Sequence, residues 1–160
     1  MNQTVNLRAK VLTVSDGVAF GARDDTGGRG LVAHLVAAGF EVVEHRVTQD
    51  GADEVAAALT EMCEGFAGLV VTTGGTGFGP RDQTPEGTRA VIEREAPGIA
   101  EAMRLVSPYG RLSRGVAGIR GTTMICNTPG SPKGAIEQID AVIDVIPHAV
   151  KLLASLPTDH

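Results

Sequence analysis

Tryptophan is absent from this sequence of 160 residues, and aromatic residues make up only 3% of it. The hydrophobic core must therefore be built from valine, isoleucine, leucine and alanine, a composition that suits a parallel sheet covered by helices. The shortage of aromatic side chains also argues against recognition of single-stranded nucleic acid, which relies on base stacking. The length predicts one domain, residues 1–160, with a sizeable core.

Positive charge, paired cysteines and long apolar runs are scarce as well. The formal net charge is -5, so there is no general basic field to attract nucleic acid. Cys63 and Cys126 have no metal-ligand spacing, which is typical of free buried thiols in a reducing cytosol. The sequence has neither a bilayer-spanning apolar run nor the apolar core of a signal peptide. We therefore expect a cytoplasmic protein that binds neither nucleic acid nor membranes.

Predicted strands and helices alternate along the chain. Strands are predicted at residues 10–15, 41–47, 68–73, 116–119 and 122–126, and residues 16–30 are predicted to be a loop. Helices are predicted at 30–38, 53–64, 85–94 with Thr84 as N-cap, 97–107, and 135–156, the last kinked or divided by Pro147. This alternation indicates βαβ units and an α/β fold with a mostly parallel sheet.

The most informative segment is 69–86, LVVTTGGTGFGPRDQTPE, where an apolar run ends in three closely spaced glycines before a helix start. Glycines let the backbone approach a ligand, and a helix N-terminus favours anions. The segment is not a Walker P-loop, because no Gly-Lys-Ser/Thr follows, and Pro80 occupies the third glycine position of a GxGxxG fingerprint. A turn-rich connection is the alternative, but three glycines in four residues favour a site for a phosphorylated ligand.

Two aspartates lie in predicted loops that follow strands. Asp82 is either a turn or capping carboxylate ahead of the helix, or a magnesium ligand that helps to position phosphate. Asp50 follows the second strand and, with Asp53, also resembles an N-cap pair. Ligands of parallel sheets bind beyond the carboxyl ends of the strands. The loops after the first, third and last strands should therefore converge on one edge.

Other polar segments carry weaker signals. The tripeptide DTG at 25–27 matches that of aspartic proteases but lacks their strand-rich context, and the four histidines share no metal-ligand spacing. Ser113 and Arg114 could bind an anion or belong to an exposed polar turn. Lys133, near the start of the last predicted helix, could face a phosphate or be solvated.

Four motifs in order, TTGGTGFGPRDQTPE, PGIAEAMR, LSRGVAGI and NTPGSP, together resemble the MogA/MoaB proteins of molybdenum cofactor synthesis. The same module resembles the G domains of plant Cnx proteins and animal gephyrins, and the resemblance covers nearly the whole chain. It implies a three-layer α/β/α sandwich with a mostly parallel sheet, assembled as a homotrimer or homohexamer. The apolar residues 98–100 also favour an oligomer.

The resemblance further implies a molybdopterin adenylyltransferase. In that reaction Mg²⁺-ATP and molybdopterin give adenylyl-molybdopterin and pyrophosphate, and a molybdate-insertion protein then takes the product. MogA and MoaB branches share these motifs, so the alternative is a catalytically inactive MoaB-type paralogue that binds molybdopterin or scaffolds other biosynthetic proteins. The Arg81-Asp82 pair and the LSRG segment resemble the active members.

The family's functional positions carry over residue by residue. Asp82 and Asp50 match its key acidic residues, which are expected to be catalytic and to hold magnesium, although Asp50 is followed by Gly-Ala rather than Glu. The expected nucleotide- and pterin-binding residues are Ser15, Asp16, Thr73, Gly74, Gly75, Thr76, Gly77, Ser113, Arg114, Asn127, Pro129 and Gly130.

Overall fold

The computed structural model describes residues 6–156, within which six strands form one sheet with helices on both faces. The strands are β1 Arg8–Val14, β2 Glu41–Thr48, β3 Gly68–Thr73, β4 Arg94–Glu95, β5 Ala117–Arg120 and β6 Thr123–Thr128. The helices are α1 Asp16–Ala19, α2 Thr26–Ala37, α3 Ala52–Cys63, α4 Thr84–Val91, α5 Pro97–Arg104, a 3₁₀ helix Pro108–Leu112, α6 Pro132–Asp140 and α7 Ile146–Leu153. None of the helices in this described part is long and apolar enough to span a membrane.

The sheet is mostly parallel. Its order is β2–β1–β3–β6–β5–β4, and the first four of these strands run parallel to one another. β5 runs antiparallel to both β6 and β4, and a tight hairpin connects it to β6. Gly121 begins that turn with a φ of +57°, a conformation that glycine adopts without steric cost.

Helices cover the sheet on both faces, which confirms the three-layer sandwich. Successive strand residues point to opposite faces, so Val11 packs among α2, α5, α6 and α7, while Leu12 packs against α3 and α4. Leu31 of α2 and Leu59 of α3 are both fully buried, one on each side of the sheet. The two cores are aliphatic, as the composition predicts.

The predicted loop 16–30 was wrong, since it contains α1 and the first residues of α2. The Ser15 hydroxyl accepts the Val18 N–H at the start of α1, and the Asp25 carboxylate accepts the Gly28 N–H at 2.8 Å at the start of α2. Gly28 is required by packing, because a Cβ there would lie 2.2 Å from Thr13 Oγ1. Gly28 therefore allows α2 to approach β1.

Several other boundaries also differ from the prediction. Gln83 is the N-cap of α4, while Thr84 is its first residue and donates its hydroxyl to the Gly74 carbonyl. Arg94, expected to end a helix, forms β4 together with Glu95 because both residues pair with β5. Asn127 belongs to β6 and not to the following loop. The division of the last helix at Pro147 is confirmed, since α7 begins at Ile146.

Candidate functional site

The carboxyl ends of the four parallel strands meet at one edge of the sheet. Thr73 is paired with Thr13 on one side and with Thr128 on the other. Just beyond these residues, the Gly74 N–H donates to the Thr128 carbonyl at 3.1 Å. The loops after β1, β3 and β6 therefore lie together, as their places at strand ends predict.

The glycine loop after β3 has a backbone that only glycine adopts easily. Gly74 and Gly75 have φ angles of +103° and +68°. A Cβ on Gly74 would lie 2.2 Å from the Val14 carbonyl oxygen, so the two loops approach closely. Thr84 fixes the loop against α4, since its hydroxyl donates to the Gly74 carbonyl at 2.9 Å and its N–H to the Gly75 carbonyl at 3.0 Å.

Two clefts open on either side of the glycine loop. The first has a volume of about 800 Å³ and lies between the glycine loop, the 3₁₀ helix and the start of α6. The second has a volume of about 590 Å³ and lies between the glycine loop, the end of β1 and the start of α2. Gly75, Asp82 and Gly130 line both clefts, so the two spaces adjoin at these residues.

Each cleft contains the beginning of a helix. Ser131, the N-cap of α6, lines the first cleft together with Lys133. Asp25, the N-cap of α2, lines the second together with Thr26 and Gly27. Free backbone N–H groups and the helix dipole favour anions at such positions.

Most of the expected site residues line these clefts. Thr76, Gly77, Ser113 and Pro129 line the first cleft, Ser15, Asp50, Thr73 and Gly74 line the second, and Gly75, Asp82 and Gly130 line both. Asp16, Arg114 and Asn127 line neither.

Asp82 and Asp50 present one carboxylate oxygen each that has no hydrogen bond within residues 6–156. Asp82 Oδ2 accepts the Gly79 N–H at 2.9 Å, and Asp50 Oδ2 accepts the Asp16 N–H at 2.9 Å. Burial raises the pKa of the Asp50 carboxyl, and the negative charges of Asp16 and Asp82 raise it further. A cation placed between Asp50 and Asp82 would relieve this repulsion.

This pair of carboxylates suits a magnesium ion that is bound together with substrate better than a metal ion coordinated by protein side chains alone. Among residues 6–156, no three His, Cys, Asp or Glu side chains are grouped so that they could hold a metal ion. Magnesium is commonly bound through one or two carboxylates together with substrate phosphates and water. Asp82 and Asp50 would supply that smaller donor set.

Asp16 joins two loops instead of lining a cleft. Arg81 donates to its two carboxylate oxygens at 3.1 and 3.2 Å and also to the Asp50 carbonyl at 3.0 Å. The hydrogen bond from Arg81 lowers the pKa of the Asp16 carboxyl. Asp16 Oδ1 also accepts the Asp50 N–H at 3.1 Å, so the loops after β1 and β2 hold each other.

Asn127 lies inside the protein, where its amide is occupied. Its side-chain NH₂ donates to the Thr72 and Thr88 hydroxyls, each at 3.0 Å, and its carbonyl accepts the Val116 N–H at 3.1 Å. The residue is 2% exposed. The Asn127 side chain therefore connects β3, α4 and the segment before β5.

Sequence analysis considered residues 25–27 only as a protease-like tripeptide and did not place Asp25 in the polar group at the far wall of the second cleft. Asp25 accepts a hydrogen bond from the Thr13 hydroxyl at 2.8 Å, and its carboxylate lies 3.0 Å from His45 Nε2. His45 Nε2 is also 3.0 Å from the Thr13 hydroxyl. An aspartate directly before a helix start is an N-cap signal that could have placed Asp25 here.

Known proteins resemble this chain over nearly its whole length. Residues 10–148 match the family described as a probable molybdopterin binding domain. A molybdopterin adenylyltransferase from Helicobacter pylori is 37% identical and aligns over 94% of this chain and 89% of its own length. The gephyrin of Dictyostelium discoideum is 36% identical over 92% of this chain and 22% of its own.

A solved structure supports the same relationship. The molybdopterin biosynthesis enzyme MoaB from Thermus thermophilus is 45% identical, with a TM-score of 0.87, and covers 96% of this chain and 99% of its own. Sequence, fold and the paired clefts agree: this chain belongs to the molybdopterin-binding family of molybdenum cofactor biosynthesis proteins, with MogA/MoaB-type proteins and gephyrin among its relatives.

Proposed function

We propose that this protein is a molybdopterin adenylyltransferase, which transfers the adenylyl group of ATP to molybdopterin and releases pyrophosphate. The observation that carries this assignment is the pair of clefts that adjoin at Gly75, Asp82 and Gly130. A transfer between two substrates needs two binding spaces that share one wall, so that the reacting groups can meet.

Both substrates are anionic, whereas four aspartates and one arginine line the second cleft, so binding of an anion there needs the magnesium proposed below. Molybdopterin carries a terminal phosphate that must attack the α-phosphorus of ATP. The starts of α6 and α2 each direct the positive end of a helix dipole to one cleft, although the N-caps Ser131 and Asp25 already accept the Gly134 and Gly28 N–H groups. Lys133 lies in the first cleft, where it pairs with Glu137 at 3.8 Å. The glycine loop lies between the two clefts, where its backbone can approach phosphate oxygens closely.

Little covalent chemistry is required of the protein, because phosphoryl and nucleotidyl transfer depend mainly on alignment and charge stabilisation. Asp82, on the wall common to both clefts, and Asp50, on the wall of the second, would hold magnesium. Magnesium would neutralise the charge of the triphosphate and of the departing pyrophosphate. Arg81 holds the Asp50 carbonyl and Asp16 in place beside that site.

The remaining binding roles follow the cleft walls. We assign Thr76, Gly77, Ser113, Pro129 and Gly130 to the substrate in the first cleft, and Ser15, Thr73, Gly74 and Gly75 to the substrate in the second. Asp16 and Asn127 line neither cleft, and they stabilise the segments that form these walls through the hydrogen bonds already described.

The domain organisation, the localisation, the oligomeric state and the partner protein are also proposals. We propose that residues 1–160 act as a single domain in the cytoplasm, as a homotrimer or homohexamer, and that a molybdate-insertion protein receives the adenylylated product. The exposed apolar side chains beside the first cleft, among them Leu105 and Tyr109, support an oligomer.

Pyrophosphate release from Mg²⁺-ATP, with and without freshly prepared molybdopterin, tests the reaction. We expect release that requires molybdopterin and that Asp82→Asn reduces by about 100-fold or more, as loss of a group that stabilises charge in the transition state commonly does. Asp82→Asn should keep the fold and should still bind molybdopterin.

Asp144→Asn is the matched control, because Asp144 is exposed between α6 and α7 and lines neither cleft. It should release pyrophosphate at the wild-type rate. Release by Asp82→Asn at that same rate would contradict the role of Asp82. Molybdopterin binding without any release by the wild type would instead identify an inactive binding paralogue.

A further inference from the structure

Arg114 lies next to the glycine loop but lines neither cleft. Its main-chain N–H donates to the Thr76 carbonyl at 2.9 Å, so the segment that follows the 3₁₀ helix runs beside the loop. Ser113, directly before Arg114, lines the first cleft. Arg114 therefore stands between one wall of that cleft and the loop that carries Asp82.

The guanidinium of Arg114 makes three separate contacts. Nε donates to the Gly77 carbonyl at 2.8 Å, Nη2 donates to the Asp82 carbonyl at 2.6 Å, and Nη1 pairs with the Glu86 carboxylate. The hydrogen bond from Arg114 lowers the pKa of the Glu86 carboxyl. One planar, rigid group thus holds both ends of the segment 77–82 and the first turn of α4.

These contacts determine how the backbone on either side of Asp82 is oriented. In a trans peptide the C=O and the following N–H point in opposite directions. Because the Gly77 and Asp82 carbonyls point to Arg114, the N–H groups of Phe78 and Gln83 point away from it. The Asp82 carboxylate is held separately, by the Gly79 N–H at 2.9 Å. Main chain and side chain of Asp82 are therefore both fixed.

We propose that Arg114 is a positioning residue that holds Asp82 and the glycine loop in the geometry needed for transfer, and that it does not itself bind substrate. This inference rests on the proposed function. It replaces the anion-binding role that the sequence suggested for Arg114, because the guanidinium donates to two carbonyls and a carboxylate of the protein.

The substitution Arg114→Lys distinguishes a substrate-binding role from a loop-positioning role. A single ammonium group retains the positive charge but cannot reach three acceptors from three nitrogens of a rigid plane. If Arg114 bound substrate by charge, Arg114→Lys would retain most activity. If Arg114 positions the loop, lysine cannot replace it.

Steady-state pyrophosphate release should show the difference in kcat. We expect Arg114→Lys to lower kcat by about 10- to 100-fold, the usual cost of removing a group that orients a functional residue, with little change in KM for ATP or molybdopterin. Arg111→Lys is the matched control, because the Arg111 side chain donates only to Pro108 within its own 3₁₀ helix among the residues described. A raised KM with an unchanged kcat, or a wild-type kcat, would overturn the proposal.

A double substitution asks whether Arg114 acts through Asp82. In an Asp82→Asn background, adding Arg114→Lys should lower the residual kcat by much less than it does in the wild type, since both changes remove the same contribution. If the two losses multiply, Arg114 acts independently of Asp82 and the proposal fails.

Hydrogen–deuterium exchange tests the positioning without any turnover. The Asp82 N–H donates to the Gly79 carbonyl and the Gly79 N–H to the Asp82 carboxylate, so both amides report on the segment 77–82. We expect faster exchange there in Arg114→Lys, with α2 and β3 unchanged, and wild-type exchange in Arg111→Lys. Unchanged exchange in Arg114→Lys would overturn the proposal. A wild type that releases no pyrophosphate would count against the proposed function alone, because the exchange result does not depend on it.

Discussion

At the scale of single residues, the surroundings of Asp16 and Asp50 shift the pKa values of these neighbouring carboxyls in opposite directions. Arg81 donates to both oxygens of Asp16, and its hydrogen bond lowers the pKa of that carboxyl. Burial and nearby negative charges raise the pKa of Asp50, although the Asp16 N–H donates to it. The folded protein therefore favours the charged form of Asp16 and disfavours the charged form of Asp50.

Amide substitutions at these two positions should change stability in opposite directions. At pH 7 in EDTA, we expect Asp50→Asn to raise the melting temperature, because it removes a charge that the fold disfavours, and Asp16→Asn to lower it, because it removes one that the fold favours. Differential scanning calorimetry of the two variants beside the wild type measures both effects. Asp50→Asn should at the same time lose most magnesium-dependent turnover.

The pH dependence of the melting temperature is the control for the Asp16→Asn and Asp50→Asn variants. The stabilisation from Asp16 is present above its unfolded-state pKa and is lost as pH falls through its lower folded-state pKa. For Asp50, stability is highest below the unfolded-state pKa and is lost as pH rises through its higher folded-state pKa. Both differences from the wild type should therefore shrink in acid, where the two carboxyls are neutral. A lower melting temperature for Asp50→Asn at pH 7 would contradict this electrostatic account.

At the scale of elements, the glycine loop depends on a backbone that other residues adopt only with strain. Gly74 combines a φ of +103° with a Cβ position 2.2 Å from the Val14 carbonyl oxygen. We expect Gly74→Ala to lower the free energy of unfolding by about 1–3 kcal/mol or more, since strain and a backbone clash act together. Urea denaturation followed by circular dichroism measures this loss.

Gly30→Ala is the matched substitution, because Gly30 lies inside α2, has an ordinary φ, and leaves open space for a Cβ. It should raise the free energy of unfolding by about 0.5–1 kcal/mol, the usual gain when alanine replaces glycine in a helix. If Gly74→Ala were as stable as Gly30→Ala, the loop would not require glycine at this position.

The elements that sequence could predict are those determined by local pattern. β3 was predicted with its observed bounds because a buried apolar run lies between glycines. The loop at Gly74–Gly75 was predicted from those closely spaced glycines. The contacts of Asn127 and Arg114 could not be predicted, since their partners Thr88 and Gly77 lie 39 and 37 residues away. Such contacts depend on tertiary packing, which a local pattern does not contain.

At the scale of the whole molecule, the described residues leave one apolar segment largely uncovered. Leu105 is 77% exposed and Tyr109 80% exposed, and Val106 and Leu112 of the same segment, 105–112, are exposed as well. Residues 98–100, which suggested an oligomer from the sequence, contribute less, because Ile99 and Ala100 pack against the core. Contiguous exposed apolar groups of this kind commonly mark an interface between proteins.

We expect the protein to have a mass three or six times its chain mass of 16.5 kDa by light scattering at micromolar concentration. Leu105→Lys should lower that mass, because it places a charge in the uncovered segment while the cation suits the end of α5. Val36→Lys makes the same change at the exposed end of α2 and should leave the mass unchanged. A monomeric wild type would refute the oligomer. A Leu105→Lys protein with undiminished mass would show that the copies meet through another face, and the first cleft would then remain open beside segment 105–112.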